Sequence, residues 1–193
     1  MKLDKAFYLN KDVVFLAREF LGKVLCTAID GQYCSGIITE TEAYAGIRDR
    51  ASHAWGDRRT KRTEPMYRKG GIAYVYLIYG MYSLFNIVTA PAGTPHAVLV
   101  RALKPLEGTD VMMKRRKADK LMGLSDGPGK LTVATGIHYS DTGEDLGGKR
   151  IWIEDRGIKV EQKKIITGPR VGIDYAGEDA LLPYRFRLSD VGD

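Results

Sequence analysis

Residues 23–44 read KVLCTAIDGQYCSGIITETEAY, two β-prone runs on either side of Asp30-Gly31. An Asp-Gly pair readily takes the positive φ of a tight antiparallel turn, so this stretch predicts a hairpin with strands over KVLCTAI and QYCSGIITETEAY. Along ITETEAY the strand period sends Glu40, Glu42 and Tyr44 to one face and Thr39, Thr41 and Ala43 to the other. Two carboxylates and a phenol on one face fit either the wet side of an antiparallel sheet or a chemical site.

Arg101 bears on that choice. It sits inside AVLVRAL, residues 97–103, between aliphatic and small neighbours. Such a strand is expected to be buried, and an arginine there needs a carboxylate. The Glu40/Glu42 face is the nearest supplier. A carboxylate, an arginine and a strand-borne tyrosine meeting inside a sheet can position and activate a water. A purely structural ion pair is the competing reading for one of the two glutamates.

Other elements follow outward from these strands. Asn10 is placed to cap a helix through VVFLAREFL, whose Val13, Leu16, Ala17, Phe20 and Leu21 form one apolar stripe ending at Gly22. Residues 46–71 make a long connection with a short helix expected near Arg50 to Trp55, and connections of this length are usually functional or disordered. Ile72 to Thr89 reads as two strands. A helix is expected over Asp110 to Leu121 and a shorter one in GPGKLTVATGI. RIWIED, KKIITGPRVGI and YRFRLSD read as late strands. The fold class is α+β (mixed α/β): one domain over 1–193, with a largely antiparallel sheet, flanking helices and a protruding β-hairpin.

The chain has 193 residues, 44% of them hydrophobic, which suits one well-cored domain. No apolar run is long enough to span a bilayer, and charges interrupt the N-terminal apolar residues at helical spacing, unlike a secretory segment. Two cysteines and three histidines offer neither a disulfide framework nor metal-ligand spacing. The expectation is a cytoplasmic protein without metal or cofactor. Its net charge of +6 is uneven. Residues 47–71 carry eight basic side chains against three acidic, and residues 112–120 carry five against one, leaving the remainder acidic. Two basic patches on an acidic body fit a polyanion docking on one face. For Lys114 to Lys117 alone, a solvated helix face explains the charge equally well.

YVYLIYGMY, residues 74–82, holds four of the eleven tyrosines. Alternation puts Tyr74 and Tyr76 on one face, while Tyr79 falls at a bend with Gly80. Two other motifs fail. GPGK lacks the spacing and the final hydroxyl of a phosphate-binding Walker loop, although a glycine-rich helix start can still offer amides to a phosphate oxygen. Cys34 with His53 is a possible nucleophile pair, but a strand cysteine beside tyrosine is more often a small buried residue.

Taken in order, ETEAY, ASHA, YVYLIYGMYSLFN, RALKPLEG, GPGKL and RVGIDYAG resemble the alkyladenine (3-methyladenine) DNA glycosylase family, from about Leu16 to the last strand. The resemblance implies a monofunctional base-excision repair enzyme, working as a monomer on double-stranded DNA that contains damaged purines. In a prokaryote it would be associated with the nucleoid. Such an enzyme flips the damaged base out and hydrolyses its bond to deoxyribose without a metal or a covalent intermediate. By the same resemblance Glu42 is the general base, with Arg101 and the carbonyl of Val171 helping to hold the water. Tyr44, His53 and Tyr76 enclose the flipped base, the Ala51 backbone meets its edge, and Asn86 disfavours guanine. Tyr79 is the intercalating wedge. Arg58, Arg59, Lys61, Arg62 and Lys130 are expected on the DNA backbone. Tyr74 and Tyr82 match no functional position and are expected to pack in the sheet. The basic loop departs from the family's RRTPRN, reading Arg58 to Thr63 as RRTKRT; Lys61 in place of proline loosens the loop, and Thr63 puts one DNA-facing or loop-ordering contact in doubt. A noncatalytic damaged-DNA-binding domain and a nucleoside hydrolase are the alternatives.

Overall fold

Strands β1 (Val24–Ile29) and β2 (Gln32–Tyr44) form the expected hairpin, with Asp30 at φ +55° and Gly31 at φ +71° in the two-residue turn. The computed structural model describes residues 1–189. Further along the chain come β3 (Ala73–Ile78), β4 (Tyr82–Thr89), β5 (His96–Glu107), β6 (Ile151–Glu154), β7 (Ile165–Gly168) and β8 (Arg185–Leu188). The main path of the sheet runs β3-β4-β5-β2-β1-β6, all antiparallel. β2 outruns β1, and its free length beyond that partner is taken up by β8, which also pairs with β7. Asp190, the last residue of the YRFRLSD segment, lies outside the described residues.

One face of the sheet is the core. Ala43, Val98, Val100, Val75 and Phe85 share that core with Leu16 and Ala17 of helix α1 (Val13–Glu19) and with Phe20 at its C-terminal cap. The α1 cap is Asp12, whose carboxylate accepts from the Phe15 N–H; Asn10 instead accepts from Asp12 N and orders the turn before it. Helix α2 (Thr109–Arg116) stops five residues short of the expected Leu121, because Lys117 adopts φ +51° and the Ala118 N–H turns back to Met113 O. Helix α3 (Pro128–Thr135) lies where GPGKLTVATGI predicts it.

Residues 46–71 pack over the opposite face of β3 and β4 as three single 3₁₀ turns, Gly46–Arg48, Trp55–Asp57 and Glu64–Tyr67. The expected helix near Arg50 to Trp55 is absent, and turns occupy Arg50 to Ala54. Thr63, where the sequence puts a loop-ordering contact in doubt, makes such contacts within the loop. It is buried, and its hydroxyl donates to Arg58 O and accepts from Thr60 N. A short polar side chain here closes its own loop through hydrogen bonds to the backbone. Among the described residues, no helix is long and apolar enough to cross a membrane.

Candidate active site

The non-core face of four neighbouring strands lines a cavity of about 900 Å³. Register explains which side chains reach it: Tyr74 pairs with Asn86, Tyr76 with Leu84, Asn86 with Leu99, and Leu99 with Glu42. Positions two apart share a face, so Tyr74, Tyr76, Leu84, Asn86, Leu99, Arg101, Glu42 and Tyr44 all point the same way. Tyr44 and Tyr76 rise from strands three apart in the sheet order, with Leu84, Asn86 and Leu99 of the intervening strands on the same face. The result is a slot with aromatic walls.

Glu42 is completely buried behind the cavity wall, held by three residues that line it, Tyr44, Arg101 and Val171. Its Oε1 accepts from Val171 N at 2.8 Å and lies 3.3 Å from Arg101 Nη1; its Oε2 accepts from Tyr44 Oη at 2.8 Å. Burial pushes the Glu42 carboxyl above the usual range, and Arg101 and then the two hydrogen-bond donors oppose that rise. Arg101 also donates through Nε to Glu40 Oε1 at 2.8 Å. Glu40 takes a second cation, Arg185, at 2.6 Å. The expected pairing therefore forms with both glutamates, and Glu40 is the one held between two arginines. The pairing of β2 with β5 is irregular around Glu40, so both strands deviate where the ion pair forms.

The opposite wall is aromatic. His53 contacts Tyr76 edge to face with ring centroids 4.6 Å apart, and Tyr74 leans on Tyr76 at 5.5 Å. Tyr74 is not simply sheet packing as expected: its hydroxyl lies 2.9 Å from His53 Nδ1 and fixes that ring. Tyr82 also borders the cavity, with its ring against Gly129, where an added Cβ would come within 3.2 Å. Asn86 is buried and spends its amide N–H groups on Tyr74 O and Leu84 O. Ala51 lines the cavity, and its carbonyl accepts from Tyr175 Oη at 3.3 Å.

Arg62, expected on phosphate, is exposed at the cavity edge, with its guanidinium 5.1 Å from the Tyr76 ring and Nη2 3.4 Å from His53 Nε2. With that cation beside Nε2, the neutral ring carries its proton on Nδ1. Burial, then Arg62 and Arg58, lowers the His53 pKa to about 4. His53 is therefore expected to stay neutral from pH 8 down to about 5. An NMR titration of its ring protons checks this, and Arg62→Ala should move the midpoint upward.

Arg58 and Lys61 are exposed on the loop. Arg59 makes a two-pronged pair with Glu64 and lies over Tyr67, and Lys130 pairs with Asp126 at 2.8 Å at the cavity rim. Of the second basic run, Arg115 turns inward to Ile29 O and Ala134 O, whereas Arg116 borders the cavity. Cys34 is a buried thiol among Met112, Leu124 and Ala134, whereas His53 pairs with Tyr74 and Arg62, so the two do not form a pair.

At the slot's mouth the β3–β4 turn closes with Met81 N donating to Ile78 O at 3.1 Å. Its two central residues, Tyr79 and Gly80, have φ +53° and +69°. Glycine takes that conformation freely, but a tyrosine there is strained, and Tyr79 is also 83% exposed. Sequence reasoning missed Asp49, Arg170 and Tyr175. Arg170 sits next to Val171 in RVGIDYAG, and Asp49 lies between two arginines, which was the available local signal.

The sequence profile of the methylpurine-DNA glycosylase family matches residues 6–191. A Desulfitobacterium hafniense protein provisionally named 3-methyladenine DNA glycosylase is 45% identical over 197 residues, covering 98% of this chain and 96% of its own. A protein of the same provisional name from Chlamydia abortus is 47% identical over 188 residues, covering 96% and 97%. One from Bacillus cereus is 45% identical over 196 residues, covering 96% and 95%. With similarity running nearly end to end through the strands that build the slot, the chain belongs to the methylpurine-DNA glycosylase family.

Proposed function

We propose that the protein is a monofunctional DNA glycosylase that flips alkylated or deaminated purines, such as 3-methyladenine, hypoxanthine and ethenoadenine, out of duplex DNA and hydrolyses their bond to deoxyribose. One observation carries the reading: a fully buried carboxylate, Glu42, held by Tyr44, Val171 N and Arg101, the three of which line an aromatic slot in front of it. The slot takes a flat ring, and the carboxylate accepts a proton from water as it attacks the sugar carbon. A cationic base such as 3-methyladenine leaves readily, so positioning the water is most of the task. Hypoxanthine needs more help, through a proton on the departing ring. Val171 contributes its carbonyl to the water site, Ala51 its backbone to the base edge, and Asn86 a wall against the guanine amino group.

Tyr79 fills the space left in the duplex, and a single chain with Arg58, Arg59, Lys61, Arg62 and Lys130 on phosphates suffices for docking. Flipping costs a few kcal/mol, and stacking on aromatic rings returns ~1–3 kcal/mol per base. Arg62 would have to leave Tyr76 for the backbone as the base enters.

A panel of duplex oligonucleotides, each with one damaged purine, tests the reading by release of free base and formation of an abasic product. Tight, salt-dependent binding with no abasic product from any lesion would leave only a damage-binding domain. Robust turnover of free inosine would favour a nucleoside hydrolase. Tyr79→Ala is expected to shrink the fluorescence change on binding ethenoadenine DNA; a change of parental size would remove the wedge assignment.

A further inference from the structure

Arg170 has no part in the proposed chemistry, and its side chain is fully buried. Nη1 donates to Asp49 Oδ2 and to Ala43 O at 2.8 Å; Nη2 donates to Asp49 Oδ1 at 2.8 Å and to Asp179 O at 3.2 Å. The guanidinium lies 4.8 Å from the Tyr44 ring centroid and 5.3 Å from that of Tyr184. Asp49 also accepts from Ala45 N at 2.9 Å and Ala51 N at 3.0 Å. This one ion pair therefore joins the end of β2, the loop bearing Ala51 and His53, and the Arg170–Val171 segment.

A buried ion pair is not in itself a sign of function. This one stands directly behind the groups that hold Glu42. Of the three donors to that carboxylate, Val171 N belongs to the next residue in the chain, and Tyr44 Oη belongs to a ring resting on the guanidinium. Only Arg101 reaches Glu42 independently.

We infer that Arg170, clamped by Asp49, is a positioning residue that fixes the Val171 amide and the Tyr44 hydroxyl and so aims the Glu42 carboxylate. The inference rests on Glu42 being the general base. Asp49 offsets the guanidinium's charge, which still couples to Tyr44 and Glu42, so a variant that keeps the charge isolates the geometric role. The other ionisable groups facing Glu42 are Glu40 beside it on β2, Tyr76 on β3, Arg101 on β5 and Tyr175 across the cavity. Arg170 touches none of these four through a hydrogen bond.

Arg170→Lys keeps the charge but loses the planar fork that grips both Asp49 oxygens, and Asp49→Asn keeps the volume and weakens the clamp from the other side. Each variant should lower single-turnover hypoxanthine release about 10–100-fold at neutral pH, as expected for a reacting group displaced by a fraction of an ångström to an ångström. Affinity for the damaged duplex should stay near parental. In Arg170→Lys, which keeps the charge, the midpoint of the acidic limb of the pH–rate profile should move to higher pH, since the two displaced donors are groups that keep Glu42 ionised; in Asp49→Asn the unpaired Arg170 cation pulls the other way, so that variant is read by its rate. A merely structural loss would reduce the active fraction, seen as burst amplitude, without moving that midpoint. An unmoved limb in Arg170→Lys, or an unchanged rate in a folded Asp49→Asn, overturns the inference. Glu42→Gln, measured alongside, separates the cases. If it stays active, the base assignment falls and Arg170 with it. If it is inactive and the Arg170→Lys limb has not moved, only the role of Arg170 falls.

Discussion

Glu42→Gln should lower single-turnover release of hypoxanthine from duplex DNA about 10²–10⁴-fold, the range for removing one general base. Binding of the same duplex should hardly change, because glutamine keeps the shape and its carbonyl oxygen can still accept from Val171 N. Tyr44 can turn its hydroxyl to accept from the new amide, and Arg101 retains Glu40. The variant should therefore fold normally, and in one respect it should fold better. Burial raises the Glu42 pKa above its ordinary 4.5, so between these two pKa values the folded state holds more protons than the unfolded state. Stability then declines as pH climbs from the ordinary value through the raised one, and the cost is fully present above it. Glutamine removes that decline. Thermal melts of parent and variant at about pH 5 and pH 8 should thus favour the variant more at the higher pH. The parent's excision rate should fall as pH drops through the same raised pKa. Unchanged cleavage by the variant would end the assignment of Glu42 as base.

The parts of this architecture legible in sequence were those set by local chemistry. Asp30-Gly31 specified the first turn, and alternation in ITETEAY and YVYLIYGMY set which side chains face the cavity. Arg101 in an aliphatic strand implied an acidic partner across the sheet, and the register supplies two. Illegible features depend on where distant chain returns. His53 meets Tyr74 only because a 3₁₀-rich loop folds back over β3, so the strand alone made Tyr74 look like packing. Asp49 and Arg170 are 121 positions apart and join through side chains alone. Local ambiguity accounts for the smaller errors. Asn10 and Asp12 are both good caps, and the apolar stripe does not choose between them. The end of α2 at Lys117 uses a left-handed lysine, where sequence offers no glycine to announce the stop.

Arg101→Met should show how strongly the site's charges bind the sheet together. Arg101 is the cation shared by Glu40 and Glu42, with side-chain exposures of 15% for the arginine, 15% for Glu40 and zero for Glu42. Burial opposes its charge, but Glu42 and then Glu40 outweigh this and hold it protonated. Methionine fills much of the space and removes the charge. Glu40 keeps Arg185, whereas Glu42 keeps only the dipoles of Tyr44 Oη and Val171 N. Leaving one buried charge without its partner costs about 3–5 kcal/mol. For a chain of this size that lowers Tm by roughly 6–20 °C. Without Arg101 the Glu42 pKa rises further, so protonation in mild acid relieves the penalty. The Tm deficit relative to parent should therefore shrink as pH falls from about 8 to 5. Adding Glu42→Gln to Arg101→Met should restore most of the loss at high pH, a coupling that a double-mutant cycle reads directly. A deficit equal at both pH values and untouched by the second substitution would mean that methionine merely packs badly, and that the charge pairing contributes little to holding β2 against β5.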